Sequence, residues 1–275
     1  MPVAVFLDES HPKHHPVLGV GGFVCDLADV LRLERGWREA KEAVRLSADE
    51  PVRYAMRWKD PALRLPLIER VPKLGVPILA VAALLEDFRP KTYEKQKAKR
   101  NEMYIYRRGF EYVLQRLPQR LYLEPGAPGP HLVFADRHDD FGCYEEEYAK
   151  GWAEGWPSLA YPIRPLREAG FFAAPAQVSR GPAMEVADLI ASVASRWAAA
   201  MVARDRGKLV QDLGELEAGM RALLPLFPTR PWGTPSWRGY SLIAHADRRT
   251  GGEVIYEGVD RWLLALRDSG GNVAA

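Results

Sequence analysis

The chain has 275 residues, 47% of them hydrophobic and 27% charged, which is ample apolar material for a sizeable core. Its 38 Lys and Arg face 36 Asp and Glu, so the formal charge is +2 and affinity for a polyanion has to come from a local patch. Cys25 and Cys143 form neither a Cys-x-x-Cys pair nor a disulfide framework, which excludes a cystine-stapled scaffold and suits a reducing cytoplasm.

The first element is a short apolar run, Val3, Ala4, Val5, Phe6 and Leu7, rich in β-formers and continuous, as expected for a central strand covered on both faces. No basic leader precedes it, so a signal peptide is not expected. A second strand is predicted over 17–25, with Gly19, Gly21 and Gly22 inside it, and the short loop between the two predicts an antiparallel pair. Residues 26–45 carry Leu27, Val30, Leu31, Leu33, Trp37, Ala40 and Val44 at helical spacing, with Asp26 or Asp29 as N-cap. A short strand over 52–58, a helix over 61–74 ended by Gly75 and a strand over 76–85 follow. That last apolar run is too short to span a bilayer and contains Pro77.

A long helical stretch is predicted over 92–121, stopped by the Gly- and Pro-rich segment 125–130. Leu132, Val133, Phe134 and Ala135 then read as a strand ending at Asp136. An amphipathic helix over 141–156, a strand or hairpin within 163–174 and an apolar helix over 182–206 come next. The remainder reads as a charged helix over 208–224, a Pro- and Trp-rich segment over 225–237 and a last helix near 259–267. There is no internal repeat or low-complexity tract, and a mixed α/β layer architecture is the expected result.

Three carboxylates stand out against these elements: Asp8 after the first strand, Asp136 after a later strand, and Asp188 inside the helix Met184, Glu185, Val186, Ala187, Asp188, Leu189, Ile190. A carboxylate beside a core loses hydration, and ionisation there needs a balancing charge. A divalent metal is the obvious balance, because Mg²⁺ takes oxygen ligands from one or two carboxylates plus waters and phosphates. An Asp at a strand end is also a common turn former or helix cap, so each residue alone has a structural reading. Asp188 fits that reading least, since it sits within an apolar helix.

Phe6-Leu7-Asp8-Glu9-Ser10, the glycine-rich second strand, the strand ending in Asp136 and the Glu185-to-Ile190 segment together resemble the family called domain of unknown function 3800. That family is similar in fold to ribonuclease H and Holliday-junction resolvases. The resemblance covers the chain to about Arg206 and departs at two positions. Glu185 stands where the family usually has Gln, and His11 follows the serine where Gly is common. The resemblance implies a ribonuclease H-like mixed sheet over 1–206 flanked by helices, with a basic helical insertion at 89–121. A helical C-terminal extension over 207–275 would pack on the same domain.

The implied chemistry is hydrolysis of a nucleic-acid phosphodiester with two Mg²⁺ or Mn²⁺ ions about 4 Å apart. Asp8 would bridge both metals, Asp136 would hold one and orient substrate, and Asp188 would complete the site from its helix. Glu185 lies three residues before Asp188 on a shared helical face and is the candidate fourth ligand. Glu9 should point to the opposite side of its strand and is assigned a structural place. The alternative is a non-catalytic ribonuclease H-like binding or scaffold protein, or a small-molecule phosphohydrolase using the same carboxylates.

For nucleic-acid contact the best segment is 89–108, where Lys95, Lys97, Lys99, Arg100, Arg107 and Arg108 are interleaved with Tyr93, Tyr104 and Tyr106. Clustered cations neutralise phosphates and exposed aromatics stack on bases; an ordinary solvated helix face with inward tyrosines explains the same pattern. Arg230, Trp232, Trp237, Arg238 and Tyr240 form a second candidate segment, equally well read as a packing arm, and Arg57 and Lys59 are candidate electrophilic helpers. His138 reads as a turn residue or a proton shuttle. His11, His14 and His15, bracketed by Pro12 and Pro16, match no standard zinc spacing. The expected setting is cytoplasmic, away from membranes, and a homodimer would suit the resemblance because resolvase-like enzymes need paired sites.

Overall fold

A computed structural model describes residues 2–10, 17–52, 61–84, 131–135, 169–173, 181–227, 240–246, 253–255, 262, 265 and 266. The strand expected over 52–58 lies outside these residues except for Val52, and the helices expected over 92–121 and 141–156 lie outside them altogether. Among the described residues seven strands build one sheet: β1 Val3–Ser10, β2 Val17–Asp26, β3 Ile78–Leu84, β4 His131–Ala135, β5 Ala169–Ala173, β6 Tyr240–Ala246 and β7 Glu253–Ile255. Their order across the sheet is β5-β4-β1-β2-β3-β6-β7. Strands β1, β2 and β3 pair antiparallel, while β4 joins β1, β5 joins β4 and β6 joins β3 in parallel. Strand β7 closes the edge antiparallel to β6. This is a mixed α/β sheet.

Strand β1 is covered on both faces, as its unbroken apolar run requires: Ala4 and Phe6 on one side, Val5 and Leu7 on the other, are all buried. It does not stop at Leu7. Asp8, Glu9 and Ser10 keep pairing with Gly21, Val20 and Gly19, so backbone hydrogen bonding carries the strand past the end of its apolar residues. Phe6 stacks on Phe23 of β2 and Phe134 of β4, each at a centroid distance of 5.2 Å, and both are its register partners. This aromatic row sets the alignment of three strands just before Asp8.

Helix α1 (Val30–Ala43) turns Leu33, Trp37, Ala40 and Lys41 inward. One 3₁₀ turn, Leu27–Asp29, precedes it, and neither Asp26 nor Asp29 accepts a side-chain cap hydrogen bond. Asp29 instead accepts from Arg32 Nε at 3.1 Å, and that hydrogen bond holds its carboxyl below the ordinary range. The helix expected over 61–74 is two pieces, α2 (Pro61–Ile68) and a 3₁₀ turn, Val71–Leu74, which ends at Gly75 with φ 66°. Pro72 has no N–H to continue an α-helical ladder, and Gly75 tolerates the left-handed turn.

Helix α3 (Pro182–Asp205) opens at Gly181 with Pro182 in its first turn and is buried along most of its 24 residues. Among the described helices it has the length and apolar composition to cross a membrane, and its apolar surface is spent on the core. Helix α4 (Leu213–Leu223) is tied to α2 by Arg64 and Glu215 at 3.0 Å. Further along, Trp262 packs edge-on against Trp197 of α3, and its Nε1 donates to Asp205 Oδ2 at 3.1 Å. The C-terminal part is therefore not helical alone: β6 and β7 extend the sheet beyond β3.

Candidate acidic site at the junction of β1 and α3

Asp8 shares the face of β1 that carries Ala4 and Phe6, because side chains alternate along a strand and these lie two and four residues before it. Ser10 lies on the same face, and both are buried, Asp8 at 9% exposure. The Oδ1 of Asp8 accepts the backbone N–H of Glu9 at 2.7 Å. Glu9 is half-buried.

Helix α3 lies on that face because β2 lacks side chains where the helix crosses it. Gly21 pairs with Asp8 and Gly19 with Ser10. A Cβ on Gly21 would stand 3.0 Å from the Cα of Ala191, and one on Gly19 would run into Cβ of Ser195. The helix thus steps from Ala191 over Gly21 to Ser195 over Gly19, running in the direction of β1. Between them Ser192 reaches β1 itself, with its Oγ 3.3 Å from Ser10 Oγ.

The position of Asp188 follows from this contact. One helical turn back from Ser192 is a step of about 6 Å, and two residues back along β1 from Ser10 is a step of about 7 Å. The first step ends at Asp188 and the second at Asp8, so the backbone positions of the two residues fall at about one level along the helix–strand interface. Asp188 is half-buried, and its Oδ1 accepts from Ser192 Oγ at 3.1 Å.

Glu185 does not join them. Its Oε2 accepts from Trp37 Nε1 at 2.8 Å and from Lys41 Nζ at 3.1 Å, both on α1. Lys41 is itself buried and also donates to the Glu50 carbonyl at 2.7 Å. Burial pushes the Glu185 carboxyl above its ordinary value, and the Trp37 and Lys41 bonds pull the other way. Among the described residues no three His, Cys, Asp or Glu side chains gather to hold a metal, and Asp8, Glu185 and Asp188 are all described. The expectation of Glu185 as fourth ligand is corrected accordingly: a desolvated carboxylate took the nearest cation, the ammonium of Lys41.

Asp136 lies outside the described residues, as do His11, His14, His15, Arg57, Lys59 and His138. So do Lys95, Lys97, Lys99, Arg100, Arg107 and Arg108, and all but Tyr240 of the second basic segment. What is described is the strand leading to Asp136: β4 ends at Ala135, which is the register partner of Leu7. The oxygen-only set at the junction, Asp8 and Asp188 with the hydroxyls of Ser10 and Ser192, has the hard-donor chemistry that Mg²⁺ and Mn²⁺ take. Ser10, Ser192, Trp37 and Lys41 had no place in the sequence reading of the site. The one available signal was Lys41, a cation at helical spacing from Trp37 on the inward face of α1.

No family model matches the chain, and no curated protein matches it. Among solved structures, a crystal structure of Bst-RNase HIII in complex with Mn²⁺ is similar at 14% identity and a TM-score of 0.42. The match covers 98% of this chain and 71% of that one.

Proposed function

We propose that this chain is a ribonuclease H-like, divalent-metal-dependent phosphodiesterase acting on nucleic acid, of the kind suggested by the domain of unknown function 3800 motifs. The observation that carries the reading is the contact of Ser192 with Ser10 across the β1–α3 interface, packed close by the side-chain-free positions Gly19 and Gly21, with Asp188 one helical turn before Ser192 and Asp8 two residues before Ser10. Supporting it is the sheet order, an antiparallel β1-β2-β3 meander extended from β1 by parallel β4 and β5. In this reading Asp136, which follows the partner of Leu7, is the third ligand, and Asp8, Asp136 and Asp188 hold Mg²⁺ or Mn²⁺.

When bound, the metal supplies activation of a water and neutralisation of charge on the phosphate. The chain's own contribution is to hold carboxylates of one sign together at the core's edge, where a cation is the natural balance. Glu185 serves this arrangement indirectly, by anchoring the first turn of α3 to α1. The cations at Lys95, Lys97, Lys99, Arg100, Arg107 and Arg108 are the proposed contacts to phosphates of the nucleic acid.

The test is Mn²⁺-dependent cleavage of single- and double-stranded DNA and RNA by wild type, Asp8→Asn and Asp188→Asn. Each substitution keeps side-chain volume, and activity is expected to fall by more than about 100-fold, the upper range for loss of a mere supporting group. Full activity in either folded variant sinks the assignment. The alternative is a binding or scaffold role without turnover. Calorimetry showing no Mn²⁺ uptake by the folded wild type would decide for it.

A further inference from the structure

We propose that Ser10 and Ser192 form a positioning chain that sets the orientation of the Asp188 carboxylate relative to the strand carrying Asp8. The inference rests on the reading of Asp8 and Asp188 as cation ligands given above. Ser192 and Ser10 are both buried, at 3% and 7% exposure, so water does not compete freely for their hydroxyls. Ser192 Oγ lies 3.1 Å from Asp188 Oδ1 and 3.3 Å from Ser10 Oγ.

The direction of these bonds follows from proton count. A serine hydroxyl has one proton to give, and an ionised carboxylate only accepts. Ser192 therefore donates to Asp188 and receives from Ser10, whose own proton completes the chain. A serine inside a helix commonly turns its hydroxyl back to a carbonyl of the preceding turn. Ser195 does so, donating to the Ser192 carbonyl at 3.2 Å, whereas Ser192 reaches across to β1.

The outcome is a brace between two elements. Ser10 sits two residues beyond Asp8 on the same strand face, and Ser192 sits one turn beyond Asp188 on the helix. Linking the two serines fixes the helix ligand against the strand ligand with no metal present. Groups that hold a ligand in this way typically carry a 10- to 100-fold share of metal affinity.

Titration of the full chain with MnCl₂ by calorimetry, beside thermal unfolding without metal, tests this. Ser192→Ala is expected to weaken Mn²⁺ binding by about 10-fold or more, and Ser10→Ala to weaken it in the same direction. Because Ser10 acts through Ser192, the double variant should bind no more weakly than Ser192→Ala alone. Equal Mn²⁺ affinity in wild type and Ser192→Ala overturns the brace even where unfolding temperature drops, since a purely structural pair would lower stability only. Additive losses overturn the coupling between the serines. Should Ser192→Ala fail to fold, Ser10→Ala at the strand end carries the same test, and unchanged affinity there overturns it. A wild type that takes up no Mn²⁺ removes the reading of the site and the brace with it, and that failure is visible in the wild-type trace alone.

Discussion

Gly21 stands opposite Asp8 across the β1–β2 ladder, and the space of its missing side chain is filled by the backbone of Ala191. Together with Gly19 it sets how close α3 comes to the strand bearing the first carboxylate. A Cβ there would meet the Cα and N of Ala191 at 3.0 and 3.1 Å, backbone atoms that cannot swing aside. Gly21→Val is expected to lift the helix and to destabilise the fold by about 1–3 kcal/mol, the usual range for overpacking. Chemical denaturation reads the stability, and Mn²⁺ titration of the folded fraction should show a loss of affinity. A variant of lowered stability that retains wild-type Mn²⁺ affinity would separate the glycine from the site.

Phe6 makes a second prediction, about register. It stacks between Phe23 and Phe134, and the β1–β4 alignment it fixes places Ala135 opposite Leu7, one residue before Asp136 and Asp8 respectively. Phe6→Ala empties the middle of the row and should cost about 3–5 kcal/mol. Phe6→Leu refills most of the volume without the ring stacking, so it should recover much of the stability. Urea unfolding of the two variants orders them; equal losses would mean that shape at this position is unforgiving and the stacking geometry is needed throughout.

The parts of this architecture legible in the chain were those whose cause is local. The apolar run before Asp8, the glycine-bearing second strand and the apolar helix around Asp188 announce themselves by composition and period, and all three were found in place. Glu185 was misjudged because its partner Lys41 lies 144 residues earlier, and helical spacing alone joined it to Asp188 instead. The Ser10–Ser192 contact spans 182 residues and was equally out of reach of local pattern. Strands β6 and β7 went unseen for a related reason: β6 owes its pairing to β3, far back in the chain, and β7 is only three residues long. At the start of α1 the expected Asp29 occupies the N-cap position, but its carboxylate binds Arg32 and makes no cap hydrogen bond.

Cys25 offers a check on the β2 side of the core. It is buried, and burial, with Asp29 and Asp26 adding to it, pushes its thiol up to about 12. The thiolate is the reactive form, so in the folded protein at pH 8 this cysteine should resist thiol reagents. Cys143→Ala would isolate its signal. Labelling with an aromatic disulfide reagent should then be negligible until denaturant unfolds the chain, when one thiol reacts. Fast labelling of the folded variant would mean that β2 opens at its end nearest α1.

The pair Lys41 and Glu185 yields the last prediction, because both members are buried and neither can lose its partner cheaply. With side-chain exposures of 1% and 8% and a separation of 3.1 Å, the two charges compensate a shared desolvation. Glu185→Gln, or Lys41→Met alone, leaves one buried charge without its counter-charge and should cost about 3–5 kcal/mol. The double variant should lie close to wild type, since a buried pair replaced by neutral groups is often neutral or better. The pH dependence has a definite sign. The Glu185 carboxyl is raised in the folded state, chiefly by burial, so the native chain binds that proton more tightly than the unfolded chain does. Its contribution is greatest below the ordinary glutamate value of about 4.3 and declines as pH rises through the folded value, then levels off. The double variant lacks this decline, so the gap in stability between it and wild type should shift in the double variant's favour on raising the pH through that window. Urea unfolding of both proteins from pH 4 upward measures it; a gap that moves the other way would mean that the Lys41 and Trp37 bonds outweigh burial at this carboxyl.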